Sequence, residues 1–138
     1  MRVSVIISTF ECPRELELVL AGYALQDDPD FEVVVADDGS GSATSAVIAA
    51  AARRSSPWRG LRHVWHPDQG FCKNEILDYA ICASVGDYLL FSDGDCIPRP
   101  DFVSTHRGLA TKERFLSDGY VRLSSSLVSG PRAWGRGR

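Results

Sequence analysis

Three runs of nearly unbroken apolar residues each stop abruptly at polar or acidic residues, and this pattern limits the chain to few folds. Val3 to Ile7 is β-branched except for Ser4 and gives way to Ser8-Thr9-Phe10. Glu32-Val-Val-Val-Ala36 gives way to Asp37-Asp38-Gly39-Ser40, and Tyr88 to Phe91 gives way to Ser92-Asp93-Gly94-Asp95. A strand apolar on both faces belongs in a parallel sheet covered on both sides, since a half-solvated strand alternates. Leu61 to Trp65 alternates more and reads as an edge strand. Helical spacing fills the gaps between strands. Leu16, Val19, Leu20 and Tyr23 follow Pro13, which suits a first helical turn, and Val47, Ile48 and Ala51 mark a second helix over 42–55, with Ser40 or Ser42 as its cap. Ile76, Leu77, Ala80 and Ile81 mark a third, with Gly86 as its stop. Pro100 opens a fourth running to about Lys112, with Phe102, Val103, His106, Leu109 and Ala110 inward, and Phe115 to Leu123 reads as one more short strand.

Strands alternating with helices call for a mostly parallel sheet joined by right-handed crossovers, and the order expected is 3-2-1-4. That order puts a switch point between strands one and four, where open α/β sheets bind ligands. Thr9-Phe10, Asp37-Asp38 and Asp93-Gly94-Asp95 then emerge on one rim, although they are far apart in sequence. Two carboxylates one residue apart on a tight turn offer hard oxygen ligands suited to Mg²⁺ or Mn²⁺, which commonly also binds substrate phosphates. The glycine between them lets the backbone approach a bulky anion.

The 138 residues are one domain's worth, and 44% apolar with 24% charged residues is a soluble globular composition. A net charge of −3 and a pI of about 5.5 give no footprint for nucleic acid, so any phosphate binding must be local. The first residues run straight into a strand pattern, too short an apolar stretch for a signal peptide or a membrane span. On that basis a cytoplasmic protein is expected. Cys12, Cys72, Cys82 and Cys96 form no C-x-x-C pair and read as free thiols. His63, His66 and His106 show no ligand spacing and read as edge or packing residues, whereas Trp58, Trp65 and Trp134 suit either packing or covering a sugar. The last residues, 124–138, lack acids and periodicity and read as a loose tail behind a domain of residues 1–123.

Four pieces in order resemble the family 2 glycosyltransferases: Val5-Ile-Ile-Ser-Thr-Phe10, Val33-Val-Val-Ala-Asp-Asp-Gly-Ser40, Asp68-Gln-Gly-Phe-Cys-Lys-Asn74, and Asp87 through Asp101 with its Asp-Gly-Asp-Cys-Ile-Pro core. The resemblance covers residues 3–123 and implies the nucleotide-sugar half of a GT-A fold, Rossmann-like, with a UDP-linked donor. It implies that Thr9, Phe10 and one of Asp37 or Asp38 hold base and ribose. Gln69, Gly70, Lys73 and Asn74 fall beside the donor, with Lys73 where the family usually has Arg, a point charge in place of a bidentate fork. Asp95 matches the ligand of Mn²⁺ or Mg²⁺, and Asp93 lies toward the ribose or shares the metal. The acceptor would be a hydroxyl of a glycan or lipid-linked molecule that attacks the anomeric carbon with inversion and displaces the nucleoside diphosphate, and a peripheral membrane contact is compatible with that. The family's catalytic base comes from a carboxylate well downstream. After Asp101 only Glu113 and Asp118 are acidic, neither in a matching context, so no base is assigned.

Three readings compete. A phosphatase of the haloacid dehalogenase kind also places Asp-x-Asp after a strand, but after its first strand and without Cys-Ile-Pro. A dinucleotide site fails because Gly39-Ser-Gly41 lacks the third glycine. The rival to an active transferase is a fragment or partner-dependent subunit that binds nucleotide without transferring sugar.

Overall fold

The computed structural model describes residues 1–54 and 56–124. Among the described residues eight elements alternate: β1 (Val3–Thr9), α1 (Pro13–Ala24), β2 (Phe31–Asp37), α2 (Ser42–Arg53), β3 (Gly60–Trp65), α3 (Lys73–Ala83), β4 (Tyr88–Asp93) and α4 (Phe102–Leu109). The strands form one parallel sheet of order β3-β2-β1-β4, the order expected.

The sequence explains the layering. Along β1 and β2 every residue is buried or nearly so, because successive side chains enter opposite cores. Val3, Val5, Ile7, Phe31, Val33 and Val35 face α1, α2 and α4, meeting Leu16, Val19, Leu20, Tyr23, Ile48 and Val103. Ile6, Val34 and Ala36 face the other way, onto Ile76 and Ala80 of α3. β3 is exposed along most of its length, as an edge strand should be.

Register sets the site. Thr9 lies opposite Asp37, Asp37 opposite Trp65, and Ser8 opposite Asp93, so all four strands end on the same rim.

Several local expectations need correction. No strand forms over 115–123; the nearest pairing is an isolated Thr111–Arg114 bridge, and Phe115, Tyr120 and Val121 lie exposed. Their apolar character suggested a strand, but no sheet edge receives them. α4 begins at Phe102 and ends at Leu109, which is exposed, and buries Val103 and His106. α3 ends at Ala83, before Gly86, and leaves Ile81 partly exposed. Neither Ser40 nor Ser42 caps α2: Gly41 holds that position, and the Ser40 hydroxyl accepts the Glu11 N–H instead. All four cysteines are free. The loose tail expected over 124–138 falls, from residue 125 onward, outside the described residues. No helix among the described residues is long and apolar enough to cross a membrane.

Candidate functional site

A cleft of about 520 Å³ opens on the carboxyl rim between the ends of β1, β2 and β4 and the start of α3. That size suits a small-molecule site. A second cleft, between α1 and α2, holds only about 30 Å³, too little for more than a water or two. Ala36 and Ile76 help line the larger one, and Ser8, Thr9, Phe10, Asp38, Asp68, Lys73, Asp93 and Asp95 supply its polar and aromatic walls.

At the end of β1, Thr9 is 93% buried, and its hydroxyl has no hydrogen-bond partner. Phe10 is half-exposed. Glu11 follows with φ 48°, in the left-handed region where a side chain is strained. Two bonds to the neighbouring turn hold it there: its N–H donates to Ser40 Oγ at 2.9 Å, and its carboxylate accepts the Gly41 N–H.

The paired acids after β2 take different places. Asp37 is fully buried, accepting the Ser40 N–H at 2.9 Å and His63 Nε2 at 2.8 Å. Burial pushes its carboxyl up, but the His63 and Ser40 bonds together hold it below the usual carboxylate value. Asp37 is therefore the brace of the β2–α2 turn, out of reach of a ligand. Asp38 lines the cleft, though its oxygens are also engaged, with His66 Nε2 at 2.6 Å and the Cys72 N–H at 3.0 Å. Asp38 thereby ties the rim to the start of α3.

Gly39 between these parts has φ +101°, and a Cβ on it would lie 2.5 Å from the Asp68 backbone. Only glycine allows the β2–α2 turn and the 66–72 loop to pass this closely.

The turn after β4 is equally tight. The Gly94 N–H donates to Ser8 O at 2.7 Å, and a Cβ there would meet that oxygen at 2.9 Å and Thr9 Oγ1 at 3.0 Å. Asp93 Oδ1 accepts the Ser8 hydroxyl at 2.9 Å and the Lys73 ammonium at 2.7 Å. The Lys73 bond above all, opposed by partial burial, holds the Asp93 carboxyl below its usual value. Asn74 is exposed and does not line the cleft.

Asp93, Asp95 and Cys96 bring ligand atoms within 4.8 Å of one another. Burial, followed by the charge of Asp95, pushes the Cys96 thiol up, so it stays protonated at neutral pH. The two carboxylates remain, a hard oxygen pair on an accessible turn, and this donor set fits Mg²⁺ or Mn²⁺.

Sequence reasoning brought Thr9, Phe10, Asp38, Lys73, Asp93 and Asp95 to one cleft; Asp37 and Asn74 stand outside it. It missed Ser8, His66 and Asp68. Ser8 and Asp68 lay within the matched pieces, whereas nothing in the spacing of His66 pointed to Asp38, 28 residues away.

The sequence model described as "Glycosyl transferase family 2" matches residues 4–136. The chain belongs to this family. No curated protein matches it by sequence. Among solved structures, S. aureus TarS 1–349 in complex with UDP-GlcNAc is 25% identical with a TM-score of 0.64, over 78% of this chain and 30% of that one. The mannosyltransferase PcManGT from Pyrobaculum calidifontis, in complex with GDP-Man and Mn²⁺, is 28% identical with a TM-score of 0.64, over 72% and 29%. Glucosyl-3-phosphoglycerate synthase from Mycobacterium tuberculosis, in complex with Mn²⁺, UDP and glucosyl-3-phosphoglycerate, is 26% identical with a TM-score of 0.59, over 78% and 38%. The chain thus spans well under half the length of each of these glycosyltransferases.

Proposed function

We propose that this family 2 domain binds the nucleoside diphosphate of a nucleotide sugar, UDP-linked, in the rim cleft, and that within its protein it serves inverting transfer of the sugar to an acceptor hydroxyl. The observation that carries this reading is the meeting of Thr9, Asp38, Lys73, Asp93 and Asp95, from four separate strand-to-helix junctions, around one cleft at the switch point.

Each residue has a task in that reading. The Thr9 hydroxyl and the Asp38 carboxylate face the nucleoside, Phe10 offers a ring beside it, and Asp93 and Asp95 hold a divalent cation. Lys73 opens α3, where backbone N–H groups and the helix dipole favour phosphate. Bound there, Mn²⁺ or Mg²⁺ would stabilise the charge that develops on the leaving diphosphate. The cation is needed because, among the described residues, four carboxylates line the cleft against one lysine, a field that repels an anion.

Calorimetric titration of UDP into the wild-type chain and Asp95→Asn, each with Mn²⁺ and with EDTA, tests the reading. Binding should require Mn²⁺ and weaken about tenfold or more in the variant, the scale of a lost charged contact. Asp95 is exposed, so the variant should fold normally. Equal affinity in all four titrations would reduce Asp93-Gly94-Asp95 to a turn, and tighter binding of GDP would reassign the donor.

A further inference from the structure

Lys73 is the one cationic side chain lining the cleft among the described residues, and it shares that lining with Asp38, Asp68, Asp93 and Asp95. Its ammonium lies 2.7 Å from Asp93 Oδ1, which also takes the Ser8 hydroxyl. Asp93 is one of the two carboxylates that fit a divalent cation, so lysine and cation contend for the same group. A diphosphate entering the cleft is a third claimant, because this ammonium is also its nearest positive partner. One ammonium cannot hold Asp93 tightly while it serves the diphosphate and the metal takes the carboxylate.

We infer that Lys73 is a placeholder for the metal: it neutralises Asp93 in the empty cleft, yields that carboxylate to the divalent cation, and turns onto the diphosphate that arrives with it. This rests on the metal reading proposed above.

The anchoring of the residue suits such an exchange. Its backbone is fixed at the first position of α3, where the preceding Cys72 N–H donates to Asp38 Oδ2 at 3.0 Å and Ile76 is fully buried. Its side chain is 38% exposed, free to rotate on a flexible four-carbon stem. The base is rigid and the charge is mobile. An empty site with Asp93 and Asp95 both bare would pay like-charge repulsion across one residue, and the lysine offsets it.

Opposite signs for two ligands follow, which an ordinary phosphate-binding lysine would not give. Mn²⁺ alone, without nucleotide, is titrated into wild type, Lys73→Gln and Lys73→Arg, with free Mn²⁺ read from its electron paramagnetic resonance signal. UDP is then titrated calorimetrically at saturating Mn²⁺. Lys73→Gln should bind Mn²⁺ about thirtyfold more tightly, the effect of removing a unit charge roughly 4 Å from a divalent cation in a solvated cleft. The same variant should bind UDP about tenfold more weakly. Lys73→Arg should return Mn²⁺ affinity to at or below the wild-type value. Unchanged or weaker Mn²⁺ binding in Lys73→Gln overturns the exchange and leaves the metal reading standing. Tighter Mn²⁺ binding with unchanged UDP affinity overturns the turn onto diphosphate. No Mn²⁺ binding by any of the three proteins overturns the metal reading itself, and the exchange with it.

Discussion

Thr9 carries a hydroxyl that the free protein does not use. Left buried without a partner, it costs about 1–3 kcal/mol relative to a satisfied group, whereas an apolar group of the same shape avoids that cost. Thr9→Val should therefore unfold in urea at a concentration equal to or above that of wild type, while UDP binding with Mn²⁺ weakens several-fold. A loss of stability beyond about 1 kcal/mol would show that the hydroxyl has a partner in the folded chain. Asp37 is the opposite case, a carboxylate spent wholly on the fold. Asp37→Ala strands the buried Ser40 N–H and removes the partner of His63 Nε2, with an expected loss of about 2–4 kcal/mol at pH 7. Because the folded Asp37 carboxyl lies below its ordinary 3.8, its contribution is complete above that pH and lost as pH falls through the folded value. The gap in urea midpoint between wild type and variant should thus narrow from pH 7 to pH 3, and a constant gap would mean the charge of Asp37 stabilises nothing.

At the scale of elements, the β2–α2 turn and the 66–72 loop act as one body through Gly39. Gly39→Ala combines a positive φ with a 2.5 Å approach to the Asp68 backbone, so it should cost at least about 2 kcal/mol and loosen the loop. Amide exchange at Gly70 and Cys72 should speed up well before that of β1; equal protection would mean the loop is held by other contacts. The elements themselves were legible because Val3, Val5, Ile6 and Ile7, with Val33 to Val35, are uninterrupted and β-branched, and a strand buried on both faces leaves that mark. The buried stripe of α1 could be read residue by residue. What escaped was whatever depends on a partner far along the chain. His63, His66 and His106 each meet an aspartate, 26, 28 and 12 residues away, and no local spacing encodes such pairs. Phe115, Tyr120 and Val121 misled for the converse reason, apolar residues with no surface to bury against. The acids of the rim were readable as a set only because parallel strands all end on the same side.

For the whole molecule, two carboxylates of the cleft and one acid outside it are engaged by partners within the chain itself. Asp38 is held by His66 and Cys72, Asp93 by Lys73 and Ser8, and the later acid Asp118 by His106. None of the three is assigned as the base for an acceptor hydroxyl. The purified 138-residue chain should bind UDP-sugar with Mn²⁺ and hydrolyse it slowly at most. Acceptor-dependent release of UDP in a coupled assay would reveal a base among these residues.

The position of β1 also governs how the chain meets its surroundings at birth. It is synthesised before the other three strands and lies between β2 and β4 in the sheet of the described residues. One of its edges has no neighbour until residues 88–93 are made, about 4–16 s later at ordinary rates of translation. Through that interval a β-branched strand with unpaired N–H and C=O groups is a template for any extended peptide nearby. Nascent chains of this domain should therefore engage holdase chaperones until β4 emerges, and release them once it has paired.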